Sequence, residues 1–397
     1  MIKTHQVKIK PNKVMTQWIH ELFAYRRWCW NYGLGIWNDF YEESLIFEDK
    51  TLRPNGNKVR DFMVSRKHDW QYLYSSRVLQ IAIIDLEKAW KNFFNPKMPD
   101  HKRPKFKSKR DENKATFSTD QAKIIDGKLV LDKPRRVSKN EWFPIKMCEK
   151  LRFNYEDGIY LKMVTITKKG DGYYASIVVE TEHELVEPEK DEVCGVDANV
   201  HHFNYNDGQI EDIFPNKLMD LYKQIKYYDR VISRKRRENP NYYNSKRYLR
   251  VKVKRAALYK RVHDLQHDLV HKFTTRLVHE YSEIHIEDLN NKTMKMGRAS
   301  KGLHNSLFGQ FKEVMKYKAD WNQNTLVLAP QNYPSTQTCS ECGYVKTKYS
   351  YGGKHGLGGD GIYHDHQTYR CYECGATMDR DENAVQNLIN YQPQPEV

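Results

Sequence analysis

Apolar and polar residues alternate along Ile2–Lys10 (Ile2, Val7, Ile9) up to Pro11, the period-2 pattern of a strand. The spacing then lengthens to three and four. Trp18, Leu22, Cys29, Gly33 and Ile36 share one helical face, and Leu79, Ile83, Leu86, Trp90 and Phe93 share another, with a polar loop at 49–57 between them. Residues 12–95 are therefore expected to be a helical domain, with Arg77, Gln80, Lys88 and Lys91 on its polar faces. Strand-like runs follow at 115–119, 128–131, 161–167 and 173–179, punctuated by Gly127, Gly158 and Gly172. They predict a small antiparallel β-barrel or sandwich, into which the helices are inserted after the first strand.

An acidic linker at 182–192, containing Pro188, separates this half from a second one with a different order of elements. Strands at 193–197, 201–206 and 209–214 come first, the last two joined by the hairpin signal Asp207-Gly208. Two helices follow, the second from about Ser245 to Tyr281 with Leu258, Val262, Leu265, Leu269, Phe273 and Leu277 along one face. Then come a strand ending Glu287-Asp288-Leu289, a glycine-containing stretch from Asn290 to Asn305, a helix with Leu307, Phe311, Val314 and Lys318 on one face, a strand at 325–329, and a final helix from about Asn383 to Asn390.

Charge adds a partner to this outline. Lys and Arg number 66 against 51 Asp and Glu, an excess of 15, and aromatic residues make up 13% of the chain. Phosphate neutralisation with base stacking fits that pairing. The excess concentrates in two places. Lys102, Arg103, Lys105, Lys107, Lys109 and Arg110 lie close together with Phe106 among them, and between Lys223 and Arg261 fifteen basic residues face only Asp229 and Glu238. So one-sided a run, which includes Arg234, Lys235, Arg236 and Arg237, repels itself unless phosphates offset it. No apolar run approaches the roughly 18 residues of a membrane span. A cytoplasmic, nucleoid-associated protein without a membrane partner is expected, and no apolar signal-like run opens the chain.

Two sets of residues carry chemistry. Cys339-Ser-Glu-Cys342 and Cys371-Tyr-Glu-Cys374, 28 residues apart, each precede a glycine that permits a sharp turn. Four thiolates in two such pairs suit one structural Zn²⁺ with no open position for catalysis. His364 and His366 are the alternative ligands nearby. Cys29, Cys148 and Cys194 remain as reduced thiols, and the Gln-Pro-Gln-Pro tail belongs to an expected disordered end, 391–397. The second set is acidic: Asp197 after the first strand of the second half, Glu287 after a later strand, and Asp381 at the mouth of the last helix. Three hairpin-ordered strands, helices, then a parallel return strand bearing Glu is the order of an RNase H-like domain, where such acids meet above the sheet. A carboxylate cluster of that kind repels itself unless cations fill it, and it suits two Mg²⁺ ions.

Gly195-Val-Asp197, Ile286-Glu287-Asp288-Leu289, Ser335-Thr-Gln-Thr-Cys339-Ser-Glu-Cys342-Gly343, Cys371-Tyr-Glu-Cys374-Gly375 and Asp379-Arg-Asp381-Glu-Asn383-Ala384 resemble the RuvC and zinc-ribbon motifs of the TnpB family. These are transposon-encoded RNA-guided DNA endonucleases similar to compact type V CRISPR effectors. The resemblance implies an α/β chain: a RuvC nuclease domain (193–330 and 376–390) with an inserted zinc ribbon (331–375), preceded by a β-barrel wedge domain (1–11 and 96–183) carrying a helical recognition domain (12–95). It also implies a guide RNA, cleavage of double-stranded DNA beside a short adjacent motif, and a monomer carrying one RNA. The triad falls on Asp197, Glu287 and Asp381, the last preferred over Asp379 because Asn383-Ala384 follows it. Arg77 and Gln80 become candidates to read the adjacent motif, and Lys102, Arg103, Lys105, Phe106, Lys107 and Arg234–Arg237 to hold nucleic acid. This chain departs from the family where Ala198-Asn199 replaces the usual Leu-Gly, and in its long ribbon spacer. A nuclease-silent RNA-guided repressor and an RNase H-fold transposase are the alternatives.

Overall fold

A computed structural model describes residues 2–109, 115–152, 155, 156, 158, 160–169, 172–180, 185–199, 201–289, 307–350 and 367–393. Arg110, the stretch Asn290–Asn305, the spacer bearing His364 and His366, and residues 394–397 lie outside them. The chain divides into two compact units, residues 1–182 and 183–397.

The first unit begins with β1 (Ile2–Lys10), which the alternating pattern predicts, and continues into α1 (Lys13–Ile46), whose first turn is capped by the Asn12 side chain accepting from Met15 N–H. Two further helices follow, α2 (Gly56–Ser65) and α3 (Ser76–Phe94). The sequence pattern predicted α3 and missed α2. At ten residues, α2 buries only Gly56, Val59 and Met63, too few to leave a periodic signature.

Six more strands complete this unit: β2 (Thr116–Thr119), β3 (Lys123–Ile125), β4 (Lys128–Val130), β5 (Ile145–Met147), β6 (Met163–Lys169) and β7 (Gly172–Glu180). They form one antiparallel sheet in the order β2-β6-β7-β1-β5-β4-β3. Its two edge strands are neighbours in the chain, joined only by residues 120–122. Six inter-strand gaps would set the edges of a flat sheet about 29 Å apart, whereas that connection spans at most about 14 Å. The sheet must therefore curl round on itself. Leu161 N–H to Ala122 O (2.9 Å) and Gly158 N–H to Ile124 O (2.8 Å) tie the approach to β6 onto the β3 edge. The short strands β3 and β5, three residues each, are the ones the sequence pattern did not reveal.

The second unit is built on β8 (Lys190–Ala198), β9 (His202–Tyr205), β10 (Gln209–Asp212), β11 (Tyr281–Glu287) and β12 (Thr325–Ala329). Their order is β10-β9-β8-β11-β12, with the first three antiparallel and β8, β11 and β12 parallel. Asp207 and Gly208 both take positive φ in the β9–β10 turn, as Asp-Gly predicts. Helices α4 (Asn216–Glu238), α5 (Lys246–Glu280), α6 (Phe308–Asn322) and α7 (Arg380–Ile389) complete the unit. One face of β8 packs Cys194 and Val196 into a core with Phe203, Phe273, Leu277, Phe311 and Met315.

The opposite face of β8 carries Gly195 and Asp197, and α7 lies against it. A Cβ on Gly195 would sit 2.6 Å from the Val385 carbonyl oxygen and 3.2 Å from Ile389 N. Only glycine lets the helix come this close. Two hydrogen bonds fix the far end of α7: His285 Nδ1 donates to Leu388 O (2.7 Å), and Tyr333 Oη donates to Asn387 O (2.8 Å).

Gly195→Ala is expected to lower stability by about 1–3 kcal/mol, the usual cost of overpacking. Gly35→Ala, at a helical position with nothing within 4 Å of the new methyl, should be neutral or stabilising. Urea denaturation of the two variants checks the contrast.

Candidate active site and metal cluster

The parallel register pairs Val196 with Ile286, so Asp197 and Glu287 follow at the same level on adjacent strands. Both lie at the carboxyl ends of these strands. Asp381 reaches the same place from the first turn of α7. The three carboxylates named by the sequence thus face one space within the second unit.

Their electrostatics follow from crowding and burial. Asp197 is buried, and desolvation pushes its pKa up to about 7, with the charges of Glu287 and Asp381 pushing the same way. Burial also raises Glu287, opposed by the Ser335 hydroxyl that donates to its Oε1. Asp381 is held differently. Arg380 Nε and Nη2 donate to its Oδ1 at 2.9 and 2.6 Å, and Asn199 Nδ2 donates to its Oδ2 at 3.2 Å. The same Asn199 nitrogen donates to Asp197 Oδ2 at 3.1 Å, so one amide bridges two acids. His202 Nε2 lies 3.8 Å from Asp381 Oδ2. Among the described residues these carboxylates do not form a group of three with atoms all within 4.8 Å. Such a donor set, oxygen-rich and net negative, is what hard divalent cations take.

Asp379 has another job. Its Oδ1 accepts from Asp381 N–H (2.8 Å) and Glu382 N–H (3.1 Å), capping α7.

The four cysteines do converge. Cys339, Cys342, Cys371 and Cys374 have sulfurs all within 4.8 Å of one another and could hold one metal ion. Cys339–Cys374 and Cys342–Cys371 sulfurs are 3.7 Å apart. Four thiolates about 2.3 Å from a tetrahedral Zn²⁺ would be about 3.8 Å from each other, whereas a disulfide needs about 2.05 Å. The two pairs adopt the same turn. Gly343 N–H returns to Cys339 O and Gly375 N–H to Cys371 O, with both glycines at positive φ, 74° and 78°. β13 (Thr368–Arg370) and β14 (Thr377–Asp379) frame the second turn and lead directly into α7.

This cluster is tied to the acids by residues the sequence did not single out for that role. Asn383 and Asn387, one turn apart on α7, are almost fully buried. Asn383 Nδ2 donates to Thr338 O (2.8 Å) while its Oδ1 accepts from Ser340 N–H (3.0 Å), and Asn387 Nδ2 donates to Ser335 O (2.8 Å) and Thr338 O (2.7 Å). Ser335 in turn holds Glu287. Spacing i, i+4 on a helix was the available signal for the two amides.

The candidate nucleic-acid residues are more varied. Arg77 is engaged by Asp120 through Nε (2.7 Å) and Nη2 and by Gln80 Oε1, so it ties α3 to the β2–β3 turn. Segment 102–109 runs along α1. Trp30 Nε1 donates to Lys105 O, Asn31 bonds both backbone groups of Lys107, and Arg103 donates to Asn38. Lys107 lies 3.5 Å over the Trp30 ring, and burial lowers its pKa to about 8. Lys102, Lys105 and Phe106 face solvent. Beside them a cleft of about 570 Å³ is lined by Lys109 of the same stretch and by Arg26, Arg27 and Lys168, the last three of which the sequence reading missed. On α4, Arg234 and Arg237 are exposed, Lys235 is half-buried, and Arg236 donates to Tyr248 Oη.

Three family models match the chain: a Cas12f1-like TNB domain over 308–388, a probable transposase of the OrfB/IS605 type over 176–297, and a helix-turn-helix domain of the same type over 1–45. A Streptomyces pristinaespiralis protein named as an RNA-guided DNA endonuclease is 25% identical over 320 residues, covering 79% of this chain and 71% of its own. The chain is TnpB-like. Escherichia coli InsQ, named likewise, is 25% identical over 353 residues, covering 84% and 79%. A TnpB-like protein of Acanthamoeba polyphaga mimivirus is 28% identical over 210 residues, which are 49% of this chain and 36% of the viral one. The solved Cas12f1–sgRNA–target DNA complex aligns over 98% of this chain and 99% of its own at TM-score 0.54 and 12% identity, so the α/β fold is shared. In this TnpB-like chain, residues 1–45 fold as a strand and one long helix rather than helix-turn-helix.

Two outcomes follow. Cys342→Ser or Cys374→Ser should lower bound zinc and loosen the region around α7, read by elemental analysis and limited proteolysis; unchanged zinc in both would refute the cluster. Because the fold raises the proton affinity of Asp197, the metal-free folded state binds more protons than the unfolded one between about pH 4 and pH 7, so stability should fall as pH rises through that window. Each tenfold gain in affinity is worth about 1.4 kcal/mol. Asp197→Asn should flatten this slope in chelator-treated protein.

Proposed function

We propose that this protein is an RNA-guided, Mg²⁺-dependent endonuclease that cleaves double-stranded DNA beside a short adjacent motif. The observation that carries the proposal is the meeting of Asp197, Glu287 and Asp381 at the strand ends under α7, with Asp197 driven toward protonation by burial and by the charges of its neighbours. A binder that never cuts has no use for so costly a cluster, and the strand order β10-β9-β8-β11-β12 fits an RNase H-like, RuvC-type domain. Within this reading residues 193–330 and 376–390 form the nuclease domain and 331–375 a ribbon around one structural Zn²⁺. The curled sheet is the wedge, and α1–α3 are the recognition domain. The names of the relatives supply the guide RNA and DNA target as partners.

Asp197, Glu287 and Asp381 would hold two Mg²⁺ ions, which supply activation of the attacking water and charge stabilisation at the leaving 3′ oxygen. The chain's own residues prepare that site. Ser335 fixes the Glu287 carboxylate, Arg380 and Asn199 orient Asp381, and burial keeps bulk water from screening the charges. Lys102, Lys105, Phe106, the Arg26–Lys168 cleft and the exposed cations of α4 offer phosphates and bases a surface. Arg77 and Gln80 would read a base only by exchanging their bonds to Asp120 and each other.

Alanine at Asp197, Glu287 or Asp381 should abolish cleavage of a guide-matched plasmid while leaving gel-shift binding intact, because base pairing and phosphate contacts lie outside the cluster. Asp379→Ala, which loses a helix cap worth about 0.5–2 kcal/mol, should still cut. Normal cutting by all three triad variants would end the nuclease reading.

A further inference from the structure

Asn204 stands on β9 directly across from Asp197 in the antiparallel register. It is nine-tenths buried. Its Nδ2 lies 3.5 Å from Asp381 Oδ2, yet its Oδ1, the other arm of the same amide, meets no hydrogen-bond donor among the described residues. The other donors at this space turn to the acids, His202 Nε2 lying 3.8 Å from Asp381 Oδ2. Asn199 and Arg380 serve the aspartates, and Ser335 serves Glu287. What remains is a bare neutral oxygen on an amide that faces Asp381 and pairs across the strands with Asp197, in a buried place where an acceptor without a partner is costly. Mg²⁺ keeps several of its waters when carboxylates hold it, and each such water needs an acceptor.

We propose that Asn204 is a positioning residue of the cation site: its Oδ1 accepts a hydrogen bond from a water in the ion's hydration shell, while Asn199 holds Asp197 and Asp381 in place beside it. The hairpin of β8 and β9 thereby supplies two amides to a site otherwise made of acids. The proposal rests on the nuclease reading. Partners of this outer kind change metal affinity by about 10–100-fold when removed.

The test is calorimetric titration of Mn²⁺ into the full-length, zinc-replete protein dialysed free of Mg²⁺. Asn204→Leu keeps the side-chain size and removes the acceptor, so it should bind Mn²⁺ 10–100-fold more weakly and need correspondingly more Mg²⁺ for half-maximal cleavage. Its metal-free melting temperature should hold or rise, because the bare acceptor is gone; a merely structural amide would instead lower it. Asn204→Asp retains an oxygen there and should bind at least as tightly as the wild type. If the leucine variant melts early, Asn204→Ala carries the same comparison, and early melting of both variants marks a merely structural amide and overturns the proposal. Equal Mn²⁺ affinity in wild type and Asn204→Leu, or Asn204→Ala in its place, overturns the proposal and leaves the nuclease reading standing. Asp197→Asn separates the two: if it binds Mn²⁺ like the wild type, or the wild type shows no saturable binding, the nuclease reading falls and this inference with it.

Discussion

Three carboxylates gathered in a poorly solvated space repel one another, and much of the second unit is arranged to contain that repulsion. β8 and β11 run parallel, and beyond a register irregularity between Tyr281 and Glu283 their carboxyl ends bring Asp197 and Glu287 level. The third acid arrives on a separate helix, which allows Arg380 to accompany it as a local counter-charge. Each acid is met by at least one donor, a hydroxyl, an amide or a guanidinium. None of these donors fully offsets the burial of Asp197, and the remaining imbalance is what a divalent cation would relieve.

The cysteine cluster serves the same end from a distance. The first cysteine turn is gripped by Asn383 and Asn387, and these lie on the helix that carries Asp381. Through Ser335 the grip extends to Glu287. Two of the three acids are thus braced against the first turn of the cysteine cluster. A buried network of this kind is worth having only when every member is paired, and here both amides are.

The main elements could be read from the chain because their patterns are long. The nine-residue β1 and the 19-residue α3 each bury a periodic face. Lys318 shares the apolar face of α6 with Phe311 and Val314. Its ammonium is in fact buried and bonds His271 O, Thr274 Oγ1 and Thr275 Oγ1, with burial lowering its pKa to about 8. The three-residue strands β3 and β5 escaped notice because alternation over three positions is indistinguishable from chance. The acids and cysteines were legible as residue types at strand ends and fixed spacings. Asn204 was not, since an asparagine in a strand has no pattern that separates a surface amide from one aimed at a cation. Arg77 illustrates the opposite failure: a position off the apolar stripe can still be claimed by a neighbour distant in sequence, here Asp120.

The placement of β1 bears on how the first unit is made. Eight of its residues pair with β7, so that Ile2 meets Glu180 across 178 positions of chain, with three helices and most of the sheet encoded between. Helical turns close over four residues, but this ladder waits for the whole interval to be present and collapsed. Until then β1 is a strand with both edges open, and the short β5 contacts, at Ile9 and Lys10, cover only its end. The lysines Lys3, Lys8 and Lys10 keep such an unpaired edge from recruiting its like in another chain, which gives the basic residues of this strand a use during folding that has nothing to do with nucleic acid.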